Sequence, residues 1–190
     1  MSSELFDAVQ AGDLDNMRTL LQSGAEINAS DDEGTTVLML AAGNGHLELV
    51  AALIEAGAEI NAVDSRGWTA LMRAIYNYDL NRGFPEVVRH LIEAGAEFET
   101  EIAYGTRPLM LAAGYGEAGV VDVLLAAGAD VFAKNEGGRT ARLMAEGKDY
   151  VEVVNQLYAA EMEQGGMQGS CATKDSSGPS VVNFVRKTEH

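Results

Sequence analysis

Four Gly-Ala dipeptides recur along the chain, at Gly24-Ala25, Gly57-Ala58, Gly95-Ala96 and Gly128-Ala129, spaced 33, 38 and 33 residues apart. A second glycine series, Gly34, Gly67, Gly105 and Gly138, keeps the same intervals. Two series in one register constrain the fold more than any local propensity, because self-similarity at about 33 residues marks a stacked array of supersecondary units. The glycines of these two series are therefore punctuation rather than linker.

The best copy shows what one unit is. Thr36-Val37-Leu38-Met39-Leu40-Ala41-Ala42 reads as a short helix whose Ala pair permits close packing. Gly43-Asn44-Gly45 ends it, and the stretch from His46 to Ile54 carries the apolar stripe of a second helix. Gly57 suits the left-handed position after a helix C-terminus. The stretch from Ile60 to Gly67 then reads as a turn or hairpin leading to the next copy. A single helix–turn–helix–hairpin unit cannot bury its apolar face, so stacking must complete the core.

These residues resemble the ankyrin repeats. Residues 34–66 carry the fullest version of that pattern, with Thr36-Val37-Leu38-Met39 standing where the family has Thr-Pro-Leu-His. Residues 67–104 match through Gly67-Trp68-Thr69-Ala70-Leu71 and Leu91-Ile92-Glu93-Ala94-Gly95-Ala96-Glu97. Residues 105–137 match through Gly105-Thr106-Arg107-Pro108-Leu109-Met110-Leu111-Ala112-Ala113. The resemblance covers residues 4–164. It implies an all-α solenoid of helix–turn–helix repeats joined by β-hairpin loops: a cap at 4–33, repeats at 34–66, 67–104 and 105–137, and a cap at 138–164.

Both terminal units are expected to turn polar faces outward, since nothing stacks on them. In the last, Arg142 stands where Leu is expected, so that core position is altered or exposed. The 67–104 repeat is five residues longer than its neighbours, with the extra residues at Tyr78-Asp79-Leu80-Asn81-Arg82 between its helices. Such an insertion is either a tolerated surface loop, cheap in closure entropy, or a loop that touches a partner. Residues 165–190 change to a Gly/Ser-rich composition and read as a flexible tail. Within it, Val181-Val182-Asn183-Phe184-Val185 is either a docking motif or a stray apolar run in a disordered end.

Charge narrows the partners. The formal net charge is −16, from 13 Lys+Arg against 29 Asp+Glu. The tail is slightly basic, so the acidity belongs to the repeats. Phosphate binding is driven by basic side chains, so a nucleic-acid partner is not expected, nor is an anionic membrane surface. Neither a run of about 18 apolar residues nor a basic, apolar leader is visible. With one cysteine, Cys171, there is no intrachain disulfide or Cys-rich metal site to build. A cytoplasmic protein, monomeric when free, is the expectation.

Catalytic patterns are not found. The histidines are His46, His90 and His190, with no His-x-x-x-His pair. His46 occupies the family's Gly-His position, where the resemblance implies a hydrogen-bonding role. The glycines of Gly43-Asn44-Gly45 and Gly114-Tyr115-Gly116 lack the Lys-Ser/Thr of a phosphate loop. No enzyme, cofactor or metal is expected.

The informative residues are those the repeat does not need. In ankyrin repeats the hairpin tips and inner helices line a concave groove that binds proteins. Carried over position by position, the tips include Asp32, Glu33, Arg66, Trp68 and Tyr104, and the inner helices close on Tyr76, Asn77 and Tyr115, with Tyr78 in the insertion. The chain's only Trp and four of its six Tyr collect there. Trp and Tyr dominate binding hot spots because they bury much area with few rotors to freeze. The plainer reading is that these rings cover the hairpins by packing on one another. The acidic flanks, Asp31-Asp32-Glu33 and Glu97, Glu99 and Glu101, would steer a basic partner. The expected function is a non-catalytic protein-interaction module for a basic protein. Its alternatives are an immunity-type inhibitor that sequesters a cationic toxin or enzyme, and an adaptor subunit of an enzyme complex.

Overall fold

The computed structural model describes residues 2–168, which form five helical pairs in two rows. The inner row is α1 (Ser2–Gln10), α3 (Val37–Gly43), α5 (Ala70–Ile75), α7 (Pro108–Tyr115) and α9 (Ala141–Glu146). The outer row is α2 (Leu14–Gln22), α4 (Leu47–Glu55), α6 (Pro85–Glu93), α8 (Ala118–Ala126) and α10 (Val151–Gln168). Each inner helix packs on the next inner helix, and from α4 onward each outer helix on the next outer one.

The repeat register explains the helix boundaries. Thr36, Thr69 and Thr140 each accept a hydrogen bond from the backbone N–H three residues on and so cap α3, α5 and α9. Met39 returns the favour at α3, its sulfur accepting the Thr36 N–H at 3.4 Å. At α7, Pro108 takes the first helical position, where no N–H is needed. The core is one continuous cluster: Leu38, Met39, Leu71, Met72, Ile75 and Met110 from the inner row, Leu53, Leu91, Leu124 and Leu157 from the outer.

Neighbouring units also interlock through rings seated over glycines. Gly12, Gly45 and Gly116 all have φ near +75°, and an added Cβ would meet the rings of His46, Phe84 and Tyr150 respectively, each from the following outer-helix start. At Gly45 that approach would be 2.3 Å, so glycine is required twice over, by backbone and by space. His46 therefore works chiefly by packing. Its backbone N–H donates to Ala41 O, but its ring makes no hydrogen bond among the described residues, unlike the role the resemblance implied.

The hairpins are tight turns, and among the described residues none widens into a strand. Isolated bridges at Ser30–Thr36 and Ile102–Thr106 close two of them. Hairpins also bond to each other: Ser65 N–H donates to Glu33 O at 2.8 Å and Glu136 N–H to Tyr104 O at 3.0 Å.

The two ends differ, which corrects the expectation of two polar caps. Among the described residues no large apolar side chain is exposed before Leu47, whereas Leu143, Val151, Tyr158 and Met162 are all about half exposed at the other end. Arg142 does not leave a hole in the last unit, because its guanidinium pairs with Glu161 at 2.9 Å and with Glu146. α10 runs through Gln168, four residues beyond the boundary expected at 164. Gln164 anchors that last stretch by donating to Ala129 O at 3.3 Å, and Gly165 lies against the Phe132 ring. The apolar run at 181–185 lies outside the described residues.

Candidate partner-binding groove

The hairpin before α5 is built around one carboxylate. Asp64 Oδ1 accepts the N–H groups of Arg66 at 2.8 Å and Trp68 at 2.9 Å, while Oδ2 pairs with the Arg73 guanidinium at 2.6 Å. Asp64 N–H closes the turn by donating to Trp68 O at 3.0 Å. The carboxylate side chain is only 1% exposed. Burial opposes its charge, but the two N–H groups and Arg73 outweigh burial and hold its carboxyl below the ordinary aspartate range. Arg73 also lies over the Trp68 ring, 5.8 Å from its centroid, so one ion pair positions the tryptophan.

From Trp68 a groove of about 400 Å³ runs along the inner row between the second and third units. Its walls include Met39 and Asn44 from α3 and its end, and Trp68, Arg73, Tyr76 and Tyr78 from the third unit. The insertion forms one wall. Asn77 and Arg82 pair across it, Asn81 turns it with φ of 51°, and Asn77 Oδ1 accepts the Leu80 N–H at 2.9 Å. Asn77 Nδ2 reaches back to Gly43 O at 2.6 Å, and Tyr76 hydroxyl donates to Asn81 Oδ1 at 2.6 Å. The five extra residues are thus fastened to the second unit as well as their own.

Three of the five expected aromatics come together. Tyr76 and Tyr115 stack with centroids 4.2 Å apart and planes 3° from parallel. Tyr78 stands edge-on to both, at 5.1 and 5.6 Å, and its hydroxyl bonds to that of Tyr115. Burial first, then Tyr78, pushes the Tyr115 hydroxyl up to about 12. Lys148 covers the far side of the Tyr115 ring at 5.6 Å and donates to Gly114 O at 2.8 Å. The rings do pack on one another, as the plainer reading had it, yet Tyr78 remains 68% exposed.

The remaining candidates are dispersed. Tyr104 sits on the next hairpin tip, 76% exposed and outside both the trio and the groove. Arg66 lines the groove and lies 3.7 Å from Glu33 across the two hairpins. Asp32 is exposed at the preceding tip. Glu101 is engaged within its own unit: Arg107 bridges it at 2.9 Å and Glu99 at 3.0 Å, and Glu99 also accepts the Asp130 N–H. Sequence reasoning passed over Asp64 and Arg73, whereas Asn77 stands at an expected inner-helix end. A signal for Asp64 existed, because Asp31, Asp64 and Asn135 each stand three residues before a register glycine. Asp31 makes the same side-chain turn, and Asn135 keeps one of its two bonds, accepting the Arg139 N–H at 3.0 Å.

The family model for ankyrin repeats (three copies) matches residues 5–102 and again residues 80–166. The chain is an ankyrin-repeat protein. No curated protein matches it. Ankyrin repeats are in general protein-interaction modules, and the groove just described lies on the inner-helix and hairpin side of this ankyrin stack. Among the described residues no group of three or more His, Cys, Asp or Glu is disposed to hold a metal ion, and no helix is long and apolar enough to cross a membrane.

Proposed function

We propose that this ankyrin protein captures a basic protein segment in the groove between its second and third units, with Trp68 and Tyr78 as anchors. The observation that carries the reading is the pre-set groove itself. Trp68 is fixed by the Asp64–Arg73 pair, and Tyr78 stays exposed on a loop that the Asn77 and Asn81 bonds tie down around it. Groups held in place before binding lose little entropy on binding, which is where affinity is gained.

Charge supports a basic partner. Arg66 and Arg73 line the groove, but the Asp64 carboxylate lies within 3.8 Å of both, and Asp79 adds a further acid to the wall. The exposed Tyr78 ring and the exposed Asp79 carboxylate together suit a guanidinium or ammonium side chain. Asp32 and Glu33 extend the acidic rim, and the net charge of −16 speeds encounter with a cation at low salt. Scaffolding and sequestration would both use this surface, and a cytoplasmic, monomeric protein remains part of the proposal.

The experiment is capture from a cell extract at two salt concentrations, with the wild type and with a Trp68→Ala/Tyr78→Ala variant whose far-UV CD matches it. A basic protein retained by the wild type, released by salt and lost with the variant supports the proposal. Equal capture by both chains overturns it.

A further inference from the structure

The last outer helix carries an apolar stripe that the repeat does not explain. On α10, Val153 and Leu157 are buried against the stack. Val151, Tyr158 and Met162 recur at i, i+7 and i+11, which puts them on one stripe of the opposite face. They are 55%, 50% and 53% exposed. Exposed Glu152 and Glu163 border that stripe, and neither takes part in an ion pair among the described residues. Among the described residues the opposite end of the stack has no such apolar surface.

The chain supplies a matching segment. Beyond Gln168 lies one apolar run, Val181, Val182, Phe184 and Val185, followed at once by Arg186 and Lys187. We propose that residues 181–187 fold back and cover the Val151–Tyr158–Met162 stripe, with Arg186 and Lys187 meeting Glu152 or Glu163. The lengths permit it. Twelve residues lie between Gln168 and Val181, and the connection spans up to about 45 Å, while the whole of α10 is about 27 Å long. Charge selects this occupant over a second copy of the chain, because two bodies of net charge −16 repel. In this arrangement the segment stands where a further repeat would stack, and supplies the terminal cover that α9 and α10 lack.

Paramagnetic broadening in the full chain tests the contact. A nitroxide is placed on Thr188→Cys in a Cys171→Ser background, and amide intensities are compared with those of the reduced label. The proposal expects the amides around Tyr158 and Met162 to lose intensity while those of α1 and α2 keep theirs. Phe184→Asp should restore the lost signals, as should Tyr158→Ser/Met162→Ser, a pair of exposed positions whose thermal melt checks the fold. Absence of broadening on α10 overturns the proposal. So does broadening centred on Trp68 and Tyr76, which would put the segment in the groove. Broadening that persists when the label and the observed nuclei are on different chains also overturns it, in favour of a second copy.

Discussion

Two hairpins of this stack occupy the same register and are held together differently. In the hairpin at Asp64, a buried carboxylate takes two backbone N–H groups and a guanidinium, and only Gly67 adopts positive φ. In the hairpin at Ile102 an apolar side chain replaces that carboxylate, and both Tyr104 and Gly105 are left-handed, with φ of 64° and 66°. The first turn is fixed by side-chain bonding and presents Trp68 at a groove. The second turn accepts strain at a non-glycine residue and presents Tyr104 to solvent. The lesson is that a repeat fold preserves the path of the backbone while the force that holds it can change, and that rigidity follows the force.

The largest expected effect comes from removing that carboxylate. Asp64→Ala leaves Arg73 unpaired and two N–H groups without their acceptor, and should cost about 3 kcal/mol in chemical denaturation. No residue in the Ile102 hairpin should cost as much. The same group gives the stack acid sensitivity of known sign. Because the folded carboxyl is held below its ordinary value of 3.8, its contribution is present above that pH and is lost as pH falls through the folded value. Asp64→Asn should therefore narrow its stability gap to the wild type as the solution is acidified below about pH 4.

A smaller pair of effects has opposite signs at equivalent positions. Arg66 and Tyr104 both precede the register glycine. Tyr104→Gly relieves left-handed strain and should raise stability by about 0.5 kcal/mol after the entropy of an added glycine is subtracted. Arg66→Gly has no such strain to relieve and should lower stability by about 1 kcal/mol. Matching signs would mean that the two turns are alike after all.

The smallest effect is spectroscopic. Tyr78→Phe removes the hydroxyl bonded to Tyr115, so the Tyr115 titration, followed by ultraviolet absorbance, should move down from about 12 yet stay above its ordinary value of 10, because burial is the larger cause. In the wild type this raised value means that the stack's contribution holds below about pH 10 and is lost as pH climbs through the folded value.

Much of this was legible before any coordinates. The glycine register gave the unit boundaries because Gly24, Gly57, Gly95 and Gly128 all fill left-handed positions after outer helices, a requirement few other residues meet. The alternation of Leu, Val and Ala marked both helical rows for the same kind of reason. The groove was legible only as a composition of aromatics. Its geometry depends on bonds that cross between units, such as Asn77 to Gly43 and Tyr78 to Tyr115, at separations of 34 and 37 residues. No local pattern encodes those. Glu101 misled for a related reason: its acidic run looks like a free rim until Arg107, six residues on, folds back onto it.

Calorimetric titration of the captured partner into the Trp68→Ala and Tyr104→Ala variants tests the central claim, that the groove beside the rigid hairpin carries binding. Loss of Trp68 should weaken affinity by about 30-fold or more, a typical hot-spot cost of about 2 kcal/mol. Loss of Tyr104 should change it by less than about threefold. The reverse ranking, or equal losses at both positions, would contradict the account.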